Sequence, residues 1–502
     1  MFAVIGDIMP SKSTSEKRFA SDVLTLVGGT GIAQIVAIAV APILSRIYSP
    51  SDFGILALFM SLSGILGTIA CFRYEMSIML PDSKEEADTQ LILSIVVAFL
   101  FSAITAVLFL LFKNPILQLF NAQELGNYVY LIPLFIFLQG MFLSLNFWNS
   151  RNKKFKNMSH ARISASLSQA GTQVGAGGLG YVSGISLILG SLVGKVFSVI
   201  TLVHSAFKKG VYVRQVNFKS LGAGIRRYKK FPLIDTWSTL LNSLSWQLPV
   251  LLLSTFFNSA IVGFYSLGFR LLQMPMSFIG RSISQVFYQR ATESKKEGTL
   301  NVLVENVFRI LVLIGLFPIL ILTLSGDAIF GVILGMEWVE AGIYVQILSI
   351  WGFIWFISSP LSTLYVVFEK QEFGLKYNTF NLITRALSLL IGGYLGDVYV
   401  ALGLFAISGI FVYGYLCLKM LHYAGVKNST AGKIVFSNFK LFIPAALLLV
   451  TLRLFSDNLY LITGVAVSLC ITYYLYILKT DSQLQSLLEI LPMVPDSMKK
   501  RK

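Results

Sequence analysis

Five basic side chains, Lys195, Arg270, Arg281, Arg309 and Arg385, interrupt stretches that are otherwise apolar. At about 1.5 Å per helical residue, Arg270 lies about 14 Å, Lys195 about 15 Å and Arg385 about 12 Å from the nearer end of its stretch. Arg309 is shallower and Arg281 is close to an end. A Lys or Arg side chain reaches roughly 6 Å, so the three deep ones cannot bring their charge to the interface. Each costs about 2.5–3.5 kcal/mol at mid-depth on the lenient insertion scale, and the three together on the order of 8–10 kcal/mol if exposed to lipid. Acidic residues do not map to that depth. Asp22, Glu75, Asp235 and Glu305 fall toward one side, and Asp52, Glu124, Asp327, Glu337, Glu340, Asp397 and Asp457 toward the other. Cations without counter-ions imply a wet cationic cavity. Its ligand would be an anion, and Arg suits phosphate oxygens in particular. A second reading stands beside it, in which these side chains bond helix-terminal carbonyls and only hold the bundle together.

Neutral polar residues repeat the same choice. The run Asp235-Thr236-Trp237-Ser238-Thr239-Leu240-Leu241-Asn242-Ser243-Leu244-Ser245-Trp246-Gln247 is too polar for a lipid-facing helix, and Gln34 follows glycines at 28, 29 and 31. Gln34, Asn242, Ser245 and Gln247 either line a cavity or bond between helices, at about 0.6 kcal/mol per contact.

The elements that carry these residues follow from composition. Of 502 residues, 55% are hydrophobic and only 13% charged, with a mean hydropathy of +0.74. Soluble domains carry about 25% charge, and disorder needs low hydrophobicity. Both are excluded, and an all-α integral membrane protein is expected. Fourteen apolar segments recur, roughly 22–45, 53–72, 89–112, 128–147, 161–182, 185–206, 232–256, 261–288, 303–324, 339–367, 377–396, 398–420, 436–455 and 459–479. Each can span about 30 Å of hydrocarbon. Strand alternation is absent, which excludes a β-barrel.

The net charge of +16 is read by position. With both termini cytoplasmic, the outer loops hold only Arg46, Lys113 and Arg453, while the loops around Arg151–Arg162 and Lys208–Lys230 become cytoplasmic, as the positive-inside rule requires. The expected organisation is a cytoplasmic tail at 1–21, a six-helix bundle at 22–206 and a basic cytoplasmic linker at 207–231. A second six-helix bundle follows at 232–420, then helices 13 and 14 at 421–479 and a basic tail at 480–502. The N-terminus puts apolar residues before charge, the wrong order for a signal peptide. Loops are too short for a folded domain, so any function resides in the helices.

A weak repeat links the halves. Pro42 precedes Gly54 at the junction of the first two helices, and Pro249 precedes Gly263 at the junction of the seventh and eighth. Each proline removes a backbone hydrogen bond and is a candidate hinge. Six helices per half give the same orientation in the membrane, hence a pseudo-twofold along the membrane normal. Corresponding broken helices of that kind point to a transporter's central site.

Other motifs are set aside. Residues 175–180 match GxGxxG but sit in a membrane segment with Lys195 where an acid belongs, so they are read as helix-packing glycines. There is no P-loop, HExxH or GxSxG. Cys71, Cys417 and Cys470 have no paired spacing, and His160, His204 and His422 do not cluster. No metal, cofactor, nucleic acid or enzymatic activity is expected.

Two stretches carry a resemblance. Arg46-Ile47-Tyr48-Ser49-Pro50-Ser51-Asp52-Phe53-Gly54 is similar to the helix 1–2 junction of bacterial polysaccharide and O-antigen flippases. Gly263-Phe264-Tyr265-Ser266-Leu267-Gly268-Phe269-Arg270-Leu271-Leu272-Gln273-Met274-Pro275 is similar to the opening of their helix 8. That family lies within the multidrug/oligosaccharidyl-lipid/polysaccharide exporter superfamily. The resemblance implies two six-helix bundles around a V-shaped cavity, two appended helices, and alternating access in the bacterial cytoplasmic membrane. The implied cargo is an oligosaccharide on undecaprenyl pyrophosphate, with membrane lipid and other polysaccharide assembly proteins as partners. Arg270 matches a basic position of the family. Coupling to an ion gradient is implied too, but no deep carboxylate is present to carry it. The alternatives are a lipid II flippase, a multidrug exporter, for which a deep carboxylate would be expected, and a membrane polymerase or ligase, for which a large outer loop would be expected.

Overall fold

The structure, a computed structural model, describes residues 14–207, 218–274 and 281–481; the side chains of 14–27, 205, 207, 281–286, 289 and 371 lie outside that description. The described chain is helical, without a strand among the described residues. The first six helices are α1 (Thr14–Ile47), α2 (Pro50–Thr68), α3 (Lys84–Leu119), α4 (Leu131–Arg151), α5 (Phe155–Gly178) and α6 (Gly184–Phe207). A short α7 (Phe218–Arg227) leads to α8 (Thr236–Phe256), α9 (Ser259–Leu272) and α10 (Arg281–Glu297). The remainder are α11 (Leu300–Leu334), α12 (Val339–Leu361), α13 (Gln371–Leu395), α14 (Val398–Tyr423), α15 (Asn428–Phe455) and α16 (Leu459–Thr480).

Ten described segments are long and apolar enough to cross a membrane, and α9 is a shorter apolar helix. The chain is therefore a multi-pass membrane protein. The expected segments 161–182, 232–256 and 377–396 are present as α5, α8 and α13, but they are too polar to count among the ten. The expected segment 261–288 is described as two helices, α9 and α10, and α10 runs on to Glu297. Residues 1–13, 208–217 and 482–502, which hold much of the expected tails and linker, lie outside the described residues.

Contacts divide the chain into two compact units, Ser15–Ser266 and Leu267–Lys502 with Met1–Thr14. The division falls at Ser266, because α8, expected in the second bundle, packs on α2 in the first unit. The polarity is that of a membrane protein. Phe99, Ile104, Leu108 and Leu111 of α3 are exposed, while serines are buried and bonded. Ser94 donates to Ser144 at 2.8 Å, and Ser102 to the Pro133 carbonyl at 2.6 Å. A partner inside the protein replaces water, the condition any polar group in hydrocarbon must meet.

The junction motif is built from local chemistry. Pro50 opens α2, where its missing N–H is no loss. Ser49 and Asp52 form a capping box, the Ser49 N–H donating to the Asp52 carboxylate at 3.0 Å and the Asp52 N–H to Ser49 Oγ at 3.3 Å. Tyr48 is buried and donates to the Gln173 carbonyl at 2.7 Å, tying the junction to α5. The two glycines of the repeat meet each other's helix starts. A Cβ on Gly54 would lie 1.8 Å from the Ser259 carbonyl oxygen, and one on Gly263 would lie 1.8 Å from that of Pro50. The helices run on through Pro42 and Pro249. Non-helical backbone occurs instead at Phe112 in α3, close to Pro115, and at Ser325 in α11.

The glycines of 175–180 have a different role from the one expected. Gly177 faces Ile47 of α1, while Gly175 and Gly178 face open space. The close approach of α5 and α6 is made by Gly190 against Gln173 and Gly194 against the Ala165 carbonyl, a GxxxG pair on α6.

In the second unit α11 and α12 cross at Gly326 and Gly342, each against the other's backbone. Asp327 beside this crossing receives Arg453 of α15 and, at 2.8 Å, the Gln346 amide.

Gly263→Ala should displace α9 from the start of α2 and destabilise the protein by about 1–3 kcal/mol or more. Gly175→Ala, in open space, should be neutral or stabilising by up to about 1 kcal/mol. Thermal melting of the detergent-purified variants tests the contrast, and equal melting temperatures would refute the contact.

Candidate functional site

Arg270 sits on α9, where its neighbours are committed to packing. Gly268 lies against the Ala341 carbonyl, Leu272 against Gly352, and the Phe269 ring stacks on Trp351 at 5.7 Å. These contacts pin α9 to α12. Arg270 is exposed on the second unit and forms no ion pair with a described carboxylate. A guanidinium offers several donors in a planar fork, which suits anionic oxygens.

Lys195 is half-buried on α6 in the first unit. Its ammonium donates to Gln139 Oε1 at 2.7 Å and lies 4.6 Å from the centre of the Phe142 ring and 5.6 Å from that of Phe135. Gly67 of α2 leaves room for the Gln139 stem. An amide oxygen and two ring faces hold the charge without cancelling it. Gln139 was invisible from the sequence, where it is one amide in an apolar run.

The other cations are housed differently. Arg385 on α13 is 3% exposed, donates to Tyr413 Oη at 2.8 Å, and has the rings of Phe405, Tyr413 and Trp351 within 5.7–6.0 Å of its guanidinium carbon. Asn381, one turn earlier, donates to the same hydroxyl at 3.2 Å. Arg309 on α11 makes a two-pronged pair with Asp481, at 2.5 and 3.3 Å. Arg281 opens α10, and its side chain lies outside the described residues. Within the second unit, then, Arg270 is exposed, Arg385 is enclosed and Arg309 is paired.

Of the neutral residues, Asn242 is exposed and Gln34, Ser245 and Gln247 are half-buried. Gln247 lies against Gly64 of α2. Gly29 of α1 abuts Ser159, a packing role. Helix α5 is rich in Ser, Thr and Gln. Its Ser166 donates to the Ala33 carbonyl at 2.7 Å, Ser164 lies 3.2 Å from Thr201, and Arg162 reaches Thr30. Its density of Ser, Thr and Gln was the available signal.

A buried carboxylate lies in the connection between α2 and α3. Phe72 and Arg73 adopt left-handed backbone angles, φ 46 and 63, unusual for residues with side chains. That turn brings Arg73 Nη1 to 3.2 Å from Glu75 Oε1. Glu75 is fully buried, and its Oε2 has no hydrogen-bond partner; neither has the Arg73 Nε. Burial pushes the Glu75 carboxyl above its ordinary range and Asp235 adds to the rise, while Arg73 opposes it. A carboxyl raised on folding contributes stability fully present below its unfolded pKa of about 4.3, and that contribution is lost as pH rises through the folded value. Melting temperature should therefore fall with rising pH above the ordinary carboxylate range, and Glu75→Gln should remove that part of the fall. An unchanged slope in the variant would refute the assignment.

The family described as "Polysaccharide biosynthesis protein" matches residues 43–343. No curated protein matches the chain. Among solved structures, a lipid II flippase MurJ in an inward closed conformation is similar over 90% of this chain and 98% of its own, at 15% identity and a TM-score of 0.70. An inward-facing multidrug resistance MATE family transporter of the MOP superfamily is similar over 81% of this chain and 98% of its own, at 13% identity and a TM-score of 0.50. At such identities the likeness is one of fold. The family match, over residues 43–343, places this chain in the polysaccharide biosynthesis protein family.

Proposed function

We propose that the protein is a flippase that moves an undecaprenyl-pyrophosphate-linked oligosaccharide, an O-antigen, capsule or exopolysaccharide repeat unit. It carries this cargo from the inner to the outer leaflet of the bacterial cytoplasmic membrane by alternating access. Both termini face the cytoplasm, and two six-helix bundles with two appended helices form the transporter. The observation that carries this reading is Arg270, exposed on an apolar helix whose other positions are spent on packing. A diphosphate crossing hydrocarbon needs a positive group that moves with the protein and not with water. Lys195 is the corresponding cation of the first unit, its ammonium kept in the membrane by Gln139 and two rings. Sugars would use the hydrogen-bonding groups of α5 and α8, while the polyprenyl chain stays among acyl chains.

The lipid II flippase reading shares the diphosphate and differs in the sugar. A multidrug exporter is disfavoured, because an open guanidinium repels cationic drugs. Arg385, Arg309 and Arg281 belong to the proposed cationic set in a weaker sense. Arg385 and Arg309 have protein partners in this conformation and would reach a ligand only after rearrangement.

In cells lacking the protein, a lipid-linked oligosaccharide should accumulate in the inner leaflet, and its sugar composition names the cargo. Arg270→Ala and Lys195→Ala should each reduce surface glycan at least tenfold at normal membrane abundance, and Arg270→Lys should retain part. Full surface glycan in the double variant would overturn the site.

A further inference from the structure

The first unit carries a basic surface that the transport reading leaves unused. Three stripes run along α7 and the turn after it. Leu221, Gly224 and Tyr228 form the stripe against the protein. Leu221 joins a cluster with Tyr74, Leu93 and Tyr228, and a Cβ on Gly224 would lie 2.6 Å from the Gln90 amide of α3. Phe218 and Ile225, seven residues apart, form a second stripe and are 94% and 46% exposed. Lys219, Arg226 and Lys230, spaced by seven and four, form a third on the side away from the protein, and all three are exposed. The helical register reaches this far, since the Tyr228 N–H bonds the Gly224 carbonyl at 3.0 Å and Lys230 keeps helical angles. Arg227 is used separately, pairing with Glu86 at 3.1 Å. Just beyond, Leu233, Ile234 and Trp237 are exposed apolar side chains at the entry to α8.

At 3.6 residues per turn the basic stripe lies opposite the protein-facing stripe, and the apolar stripe lies beside both. A helix that presses one side to the protein and turns an apolar edge toward acyl chains holds its basic edge at headgroup level, the geometry of an interfacial amphipathic helix. We infer that Lys219, Arg226 and Lys230 form a docking surface for the phosphate headgroups of acidic phospholipids. Phe218 and Ile225 are seated in the acyl boundary beside it. The inference rests on the proposed orientation only in assigning the surface to the cytoplasmic leaflet. Charge complementarity selects the occupant, because three cations and no carboxylate occupy that edge of α7. The device fixes this segment of the first unit to the membrane plane.

The test uses the full-length protein in nanodiscs of phosphatidylcholine mixed with phosphatidylglycerol of the same acyl chains. The ratio of the two lipids retained by the protein is read by native mass spectrometry. Wild type should retain phosphatidylglycerol preferentially. The triple variant Lys219→Gln, Arg226→Gln, Lys230→Gln should lose about fivefold in preference per charge removed, as expected for cations of a polybasic segment near an anionic surface. Lys219→Arg with Lys230→Arg should keep the preference. A charge-matched control, Lys376→Gln, Lys427→Gln, Lys433→Gln, should keep it as well. An unchanged preference in the α7 variant, or an equal loss in the control, overturns the inference. Melting temperature in pure phosphatidylcholine shows that the α7 variant is folded. The ratio is measured without cargo, so a failed transport assay would remove the flippase reading and leave this one standing.

Discussion

A positive charge in hydrocarbon is costly unless the protein supplies a partner, and Lys195, Arg309, Arg385 and Arg453 each have one. The backbone meets the same demand by being mostly helical where it is described. Side chains meet it one at a time. Asp327 takes Arg453 where α11, α12 and α15 meet, and Asp481 takes Arg309 where α16 ends. These pairs are partly exposed at helix ends, where water and headgroups share the charge, and their contribution to stability is correspondingly modest. They serve register, holding the last two helices at fixed heights against α11.

The deeper cations have no room for such pairs, and each has its own arrangement. Aromatic faces and a tyrosine hydroxyl surround Arg385. Lys195 has an amide and two rings. Arg270 is the open one. The packing around it is tight for a reason the glycines make plain. Within the first unit Gly263 lies against the Pro50 carbonyl, and within the second Gly268 lies against the Ala341 carbonyl and Gly352 against the Leu272 side chain. Preorganisation of this kind lowers the cost of holding a ligand, because the side chain's support does not have to be ordered on binding.

Much of this was legible in the sequence. Hydropathy placed the apolar helices, while the run from Arg46 to Gly54, read only as a family resemblance, turns out to hold a capping box, a helix-opening proline and a packing glycine. What stayed hidden was partnership across distance. Nothing in the sequence joins Arg309 to Asp481, 172 residues apart, or Lys195 to Gln139, 56 apart. Helices α5, α8 and α13 were found as apolar segments, but their polarity is intelligible only once their neighbours are known. Ser166 of α5 bonds the backbone of α1 and Ser164 lies beside Thr201 of α6, so the helix is polar where it faces protein. Buried Glu75 was assigned to a helix end by counting residues. The left-handed turn at Phe72 and Arg73, which encloses it, has no sequence signature, since neither residue is a glycine.

The match between residue type and surroundings argues that these cations are not interchangeable. A guanidinium is planar and weakly hydrated, so rings can take the place of its water, as they do around Arg385. An ammonium is compact and strongly hydrated and needs a lone pair, which Gln139 gives to Lys195 and ring faces alone would not. Arg270 on α9 makes no ion pair with a described carboxylate, so the three cations sit in three different settings.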